Sequence, residues 1–183
     1  MIERRHVMGT KNNKPVEYLR FTALEDGTFS FNAESYTGDW TYIEYSVDEG
    51  ATWTRLNRTD VTARGVLLTT PTVTTGNSCL WRGNMKQVSS STGTSYRSHF
   101  SSTGRFNVSG NLLTWLNPKG KSAVYPRSFQ LLFYNCTNLI DASELIMPNS
   151  TYEYCCYYMF QGCTSLTTAP EILPATQLSW YCY

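Results

Sequence analysis

The feature that most limits how this chain can fold is a repeat. Phe133-Tyr-Asn-Cys-Thr-Asn-Leu139 returns downstream as Phe160-Gln-Gly-Cys-Thr-Ser-Leu166, and the same shift sets Ala142 over Ala169 and Glu144 over Glu171. One position is then lost, and the shortened shift sets Pro148 over Pro174, Ser150 over Thr176, Tyr154 over Trp180, Cys156 over Cys182 and Tyr157 over Tyr183. A unit this short cannot bury an apolar face alone and must stack on its neighbours. The spacing predicts repeats over 133–159 and 160–183 in a C-terminal solenoid spanning 105–183. A degenerate copy, Phe106-Asn-Val-Ser-Gly-Asn-Leu112, precedes Phe133 by the same interval that separates Phe133 from Phe160, with Ser109 at the cysteine position. Residues 105–132 are therefore expected to cap the stack, with Phe106 in one ladder with Phe133 and Phe160. Tyr183 falls in mid-unit, so either further chain or a partner is expected over that face.

Within a unit, Phe, Cys and Leu stand at every third position, which suits a tight 3₁₀-like turn with those side chains inward. The alternation of Tyr152, Tyr154 and Cys156 reads as a short strand or extended segment with one buried face. The expected repeat core is Phe133, Cys136, Leu139, Cys156, Phe160, Cys163, Leu166 and Cys182. Five of the six cysteines (Cys136, Cys155, Cys156, Cys163 and Cys182) fall in the last third of the chain. No pair has a C-x-x-C spacing, and the two histidines, His6 and His99, are remote in sequence, so neither a metal site nor a cofactor is expected. The repeat accounts for these cysteines as small core residues rather than disulfide partners.

Met159-Phe-Gln-Gly-Cys-Thr-Ser-Leu-Thr-Thr-Ala-Pro-Glu171, with its F-x-x-C-x-x-L core, resembles the BspA-like leucine-rich repeats, in the form found in Bacteroides and in phages that infect them. The resemblance covers residues 131–183. It implies a leucine-rich-repeat solenoid used for adhesion and surface recognition, without catalysis. Two upstream phrases, Tyr45-Ser-Val-Asp-Glu-Gly-Ala-Thr-Trp53 and Phe100–Gly110, are similar to segments that precede the repeats in the same proteins.

Residues 1–15 form a basic arm carrying Arg4, Arg5, Lys11 and Lys14. Such an arm is either a solvated terminus or an anchor for an acidic partner. Over 16–104 short alternating segments sit between turn residues: Tyr18–Leu24, Thr28–Asn32, Trp40–Ser46, Trp53–Leu56, then Val66 to Leu68, Val73, and Leu80 to Asn84. With no helical periodicity, this predicts a small β-sandwich of hairpins. The predicted fold is thus mainly β, a small N-terminal β-sandwich followed by a short leucine-rich-repeat solenoid. Ser46-Val-Asp-Glu-Gly-Ala-Thr-Trp53 has the S-x-D-x-G-x-T-W form of the Asp-box, whose Asp caps a hairpin turn while Gly takes a positive φ. A single copy reads as a turn element, and no arginine set around a tyrosine points to sialidase chemistry. The tract Ser89–Tyr96 reads as a loop.

The net charge of +1 gives no footing for nucleic-acid binding. No apolar run approaches the ~20 residues of a membrane span, so no membrane insertion is expected. Met1–His6 is basic but no apolar stretch follows, so export by a signal peptide is not expected. Two remote histidines argue against a His-based enzyme, and the carboxylates Asp141 and Glu144, which could meet on one turn, read as a solvated edge rather than a catalytic pair. Three roles fit: a phage virion structural or fibre protein made in the host cytoplasm, a bacterial cell-surface adhesin, and a carbohydrate-binding module. Tyr152, Tyr154, Tyr157, Tyr158, Trp180 and Tyr181 are the surface-binding candidates; alternate members of such runs also serve as core. The expected partners are other virion proteins or a second copy, with homo-oligomers favoured, and a host-surface glycan or protein.

Overall fold

Short runs rich in aromatic and β-branched residues, broken by turn residues such as Asp26-Gly27, Glu49-Gly50 and Gly76-Asn77, leave the backbone little choice but strands. The computed structural model describes residues 16–32, 40–61, 65, 67–86, 98–120 and 123–183 and is mainly β. The basic arm 1–15 and the tract 89–96 lie outside the described residues. Ten strands follow in order: β1 (Leu19–Ala23), β2 (Phe29–Asn32), β3 (Trp40–Ser46), β4 (Thr54–Asn57), β5 (Leu67–Thr69), β6 (Ser78–Met85), β7 (His99–Ser102), β8 (Phe106–Asn111), β9 (Leu139–Asp141) and β10 (Leu145–Ile146). Short 3₁₀ turns cover Arg58–Asp60 and Leu112–Trp115.

One sheet runs β10-β8-β1-β6-β3-β4, with β9 also pairing to β8, and a second runs β5-β2-β7. Along β1 and β8 buried and half-exposed side chains alternate, turning Leu19, Phe21 and Ala23, and Phe106, Val108 and Gly110, inward. The smaller sheet answers with Phe29, Phe31 and Phe100, all fully buried. Phe21 meets Phe29 and Phe100 edge-on at 5.4 and 4.8 Å between centroids. Trp81 and Trp115 close the same cluster, each 4.9 Å from Phe100. Rings at these separations add about 0.5–1.5 kcal/mol per pair beyond area burial.

The turn between β3 and β4 is built by the Asp-box residues. The Ser46 hydroxyl donates to Asp48 Oδ1 at 2.7 Å and accepts from the Gly50 N–H at 2.8 Å. Asp48 also accepts from the Thr52 N–H at 2.9 Å and the Thr52 hydroxyl at 2.6 Å. Gly50 takes φ +90°, which its missing Cβ allows. Trp53 then lies under the Arg82 guanidinium, 3.7 Å from its ring centroid, and Arg82 and Arg55 both clamp the buried Glu44 at 2.6 Å.

The repeat region joins this frame through β8. Its one edge pairs antiparallel with β1, and its other edge pairs parallel with β9 at Phe106–Asn107 and with β10 at Gly110–Asn111. A single sheet therefore crosses the expected boundary at 104/105. The expected Phe106 rung is corrected: Phe106 lies beside Leu139, and the ring stacked on Phe133 is Phe100, at 5.7 Å and 27°. Phe133 in turn stacks on Phe160 at 5.5 Å and 4°. The cause is the backbone. The Phe100 N–H donates to the Leu132 carbonyl at 2.8 Å and the Phe106 N–H to the Asn138 carbonyl at 3.0 Å, so β7 and β8 together cap the stack.

Two outcomes follow. Phe133→Ala removes the middle ring of the Phe100–Phe133–Phe160 column and leaves a buried cavity, so it lowers stability by about 3–5 kcal/mol in urea unfolding. Asp48 is held at about 2, below its usual 3.8, chiefly by the Thr52 hydroxyl and N–H. A depressed carboxylate contributes stability that is present above its unfolded value and lost as pH falls through the folded one. Asp48→Asn should therefore narrow the gap between urea midpoints measured at pH 6 and pH 2; an unchanged gap would refute this role.

Candidate binding surface

The stretch Tyr152 to Cys156, expected to be a short strand or extended segment, instead enters a run of consecutive turns over 153–162, matched by another over 126–135. Every fourth residue takes a left-handed conformation: Arg127, Leu131 and Asn135 in one run, Tyr154, Tyr158 and Gly162 in the next, then Tyr181. A left-handed residue at that interval turns the chain too often for a strand, and side chains do not alternate as in one: 128–133 are all buried, as are the neighbours Cys155 and Cys156. The N–H groups of Arg127, Phe129, Leu131, Phe133 and Asn135 donate to the carbonyls of Glu153, Cys155, Tyr157, Met159 and Gln161 at 2.8–3.1 Å. The F-x-x-C-x-x-L stretch then closes as a 3₁₀-like turn, with the Cys136 N–H on the Phe133 carbonyl and the Leu139 N–H on the Cys136 carbonyl.

This register corrects the shortened shift at the C-terminal end. Tyr154 stacks on Tyr181, not Trp180, at 5.1 Å and 5°, and the left-handed series Arg127, Tyr154, Tyr181 keeps the full spacing of Phe133 to Phe160. Cys182 accordingly occupies the place of Cys155. The loop before Trp180 absorbs the one-position slip between Pro148 and Pro174. Of the expected repeat core, Phe133, Cys136, Leu139, Cys156, Cys163 and Cys182 are buried, while Phe160 and Leu166 are half-buried in the last unit.

The aromatic candidates separate into two groups. Tyr154, Tyr157, Tyr158 and Tyr181 come together: Tyr157 stacks on Tyr158 at 3.8 Å and meets Tyr154 and Tyr181 edge-on at 5.3 and 5.8 Å. The hydrogen bond with Tyr158 raises the Tyr157 hydroxyl to about 12. Tyr152 and Trp180 make no ring contact among the described residues and stand 55% and 79% exposed. Arg127 lies over Tyr154 at 5.5 Å and heads the tyrosine column. The sequence reading passes over it because the F-x-x-C pattern begins later, although Arg127 precedes Tyr154 by one full repeat. The rings with open faces are thus Tyr181, Trp180 and Tyr152, in a segment (152–183) whose charged residues are Glu153 and Glu171. Aromatic faces without competing charge suit stacking on sugar rings or apolar side chains.

A polar recess of about 280 Å³ lies on the outer side of the main sheet, lined by Thr22, Asn107, Ser109, Asp141, Ser143 and Glu144. Asp141 accepts from the Ser143 hydroxyl at 2.6 Å and its N–H at 2.7 Å, which hold its carboxyl below the usual range. No group of three or more His, Cys, Asp or Glu suited to a metal occurs among the described residues. The six cysteines are all buried and form no disulfide. Cys155 and Cys156 lie 3.6 Å apart; the hydrogen bond between them lowers the first thiol and raises the second. Burial lifts Cys136 to about 12 and Cys163 to about 11. No family model matches the sequence, and neither a curated protein nor a solved structure matches it.

Because the thiolate is the reactive form, the raised thiols of Cys136 and Cys163 should be inert in the native protein, and burial shields the others. A disulfide reagent at pH 8 is expected to label few of the six cysteines natively and all six after denaturation. Rapid native labelling at Cys136 or Cys163 would contradict the packing described.

Proposed function

We propose that this chain is a non-enzymatic structural and binding protein of a phage particle, in which a small β-sandwich carries a short leucine-rich-repeat solenoid of the BspA-like type. In this reading the last units display a surface towards the bacterial host, and the ligand is a host-surface glycan or protein. The observation that carries it is the alignment of equivalent residues one repeat apart, Arg127, Tyr154 and Tyr181, all left-handed and stacked in one column. Such register is what a stacked repeat needs, and it leaves the faces of Tyr181 and Trp180 turned outward. The partners are other virion proteins or further copies of this chain, and the place of action is the virion.

The exposed, uncharged ring faces equally favour a second reading, a bacterial cell-surface adhesin or carbohydrate-binding module. Neither reading uses a cofactor or a nucleic acid. Among the described residues no helix is long and apolar enough to cross a membrane.

Two measurements decide between them. Mass spectrometry of purified phage particles from Bacteroides cultures is expected to find this chain; its recovery from cell envelopes instead supports the adhesin. For the binding face, the labelled protein is expected to bind Bacteroides cells, and Trp180→Ala with Tyr181→Ala to weaken binding about tenfold, the scale of two lost stacking contacts. Unchanged binding by the double variant would remove these rings from the site.

A further inference from the structure

The end of strand β8 sets the start of the described chain beside the repeats. On one edge the Asn111 N–H donates to the Glu17 carbonyl, and on the other the Gly110 N–H donates to the Glu144 carbonyl, both at 3.2 Å. Glu17 and Glu144 are therefore about 10 Å apart, two strand spacings. Residues 1–15 join the fold at that point and carry Arg4, Arg5, Lys11 and Lys14 against one acid, Glu3. Beyond Arg127 the balance reverses, with Asp141, Glu144, Glu153 and Glu171 and no Lys or Arg. Two of these carboxylates share a cleft. The parallel bridge of Asp141 to Thr168, followed by the Glu171 N–H on the Ser143 carbonyl at 3.2 Å, sets Glu171 beside Glu144. Both line a cleft of about 310 Å³ whose other walls include Ile146, Met147, Ile172 and Pro174. Neither carboxylate has an ion pair among the described residues. Like charges side by side on neighbouring strands destabilise the pairing, and a cation set between them reverses the sign.

We infer that the basic arm 1–15 of the same chain crosses the end of β8 and docks in this cleft, its Lys and Arg heads at Glu144 and Glu171. Three facts single out this occupant. The charges are complementary, and the cleft has no cation of its own. The reach is ample, since fifteen residues extend up to about 50 Å and the cleft begins two strands from Glu17. The arm also mixes Ile2, Val7 and Met8 with its cations, which suits an apolar floor under an acidic rim. Long cationic side chains lay their stems on apolar surface and keep the charge at its edge, here over Ile146 and Ile172. The cleft lies between two units already joined by hydrogen bonds, so a further unit stacked on 160–183 would pack on the far side of Glu171 and not within it. Docked there, the arm is a strap that ties β1 to both repeat units. This inference does not depend on the host-surface role proposed above.

The test is zero-length coupling with a water-soluble carbodiimide on the full chain, read by peptide mass spectrometry. Lys11 or Lys14 should couple to Glu144 or Glu171 at least about fivefold more than to Glu153, the scale of one or two exposed ion pairs. In a mixture of unlabelled and nitrogen-15 protein, each coupled pair should carry a single label, as an arm on its own chain requires. The preference should vanish at about 1 M salt, where screening acts within about 3 Å. A second measurement compares amide spectra of the full chain and of its Arg4→Gln, Arg5→Gln, Lys11→Gln, Lys14→Gln variant, whose changes lie outside the core. Shifts are expected at 144–147 and 171–174. Coupling without preference for Glu144 and Glu171, mixed labels at that pair, or spectra unchanged over both stretches would overturn the proposal.

Discussion

Strand β8 bears the remainder of the structure, because it is hydrogen-bonded along both edges to parts of the chain that would otherwise have no common frame. On one side Arg20 to Ala23 of β1 lie against it antiparallel; on the other, Leu139 and Asp141 of β9 and Leu145 and Ile146 of β10 lie against it parallel. Its inward residues Phe106 and Val108 belong to one apolar core that runs from Leu19 to Cys163. Burying one strand under two kinds of neighbour leaves few backbone groups to water and sets the register of whatever follows. From that register come the Phe100–Phe133–Phe160 column, the regular spacing of the left-handed residues from one unit to the next, and the outward position of Tyr181 and Trp180.

Much of the N-terminal part is legible in the sequence because its signals are local. The alternating segments at Tyr18–Leu24, Trp40–Ser46 and Leu80–Asn84 overlap β1, β3 and β6, and the Asp-box chemistry specifies its own turn from Ser46, Asp48, Gly50 and Thr52. The F-x-x-C-x-x-L stretch likewise reads correctly as a tight turn with its apolar residues inward. What does not read correctly depends on long-range pairing. Period two between Tyr152 and Cys156 looks like a strand, but left-handed residues at Tyr154 and Tyr158 fold the stretch into consecutive turns in which Cys155 and Cys156 are both buried. Only the neighbouring run, which accepts and donates its bonds, distinguishes the two.

The cap departs from the sequence pattern for a related reason. Phe106 matches the repeat period in sequence, whereas the backbone of β7 and β8 meets the first unit at a longer offset, setting Phe100 on Phe133 and Phe106 beside Leu139. A terminal unit need only offer compatible hydrogen bonds and a ring, so its spacing is free to depart from the others. The slip at Pro148 and Pro174 misaligns Trp180 in the same way, since a loop can absorb a residue that a hydrogen-bonded row cannot. Arg127 is not legible because its role, a cation over the first ring of a column, has no local sequence signature. The proposed function rests on these positions: a column of rings that Arg127 heads, with Tyr181 and Trp180 exposed.

The central claim is the register of that column, and ring-to-ring nuclear Overhauser contacts in the labelled protein test it most directly. The account predicts contacts between Tyr154 and Tyr181, Phe133 and Phe160, and Phe100 and Phe133. Contacts of Tyr154 with Trp180, or of Phe106 with Phe133, in their place would contradict it.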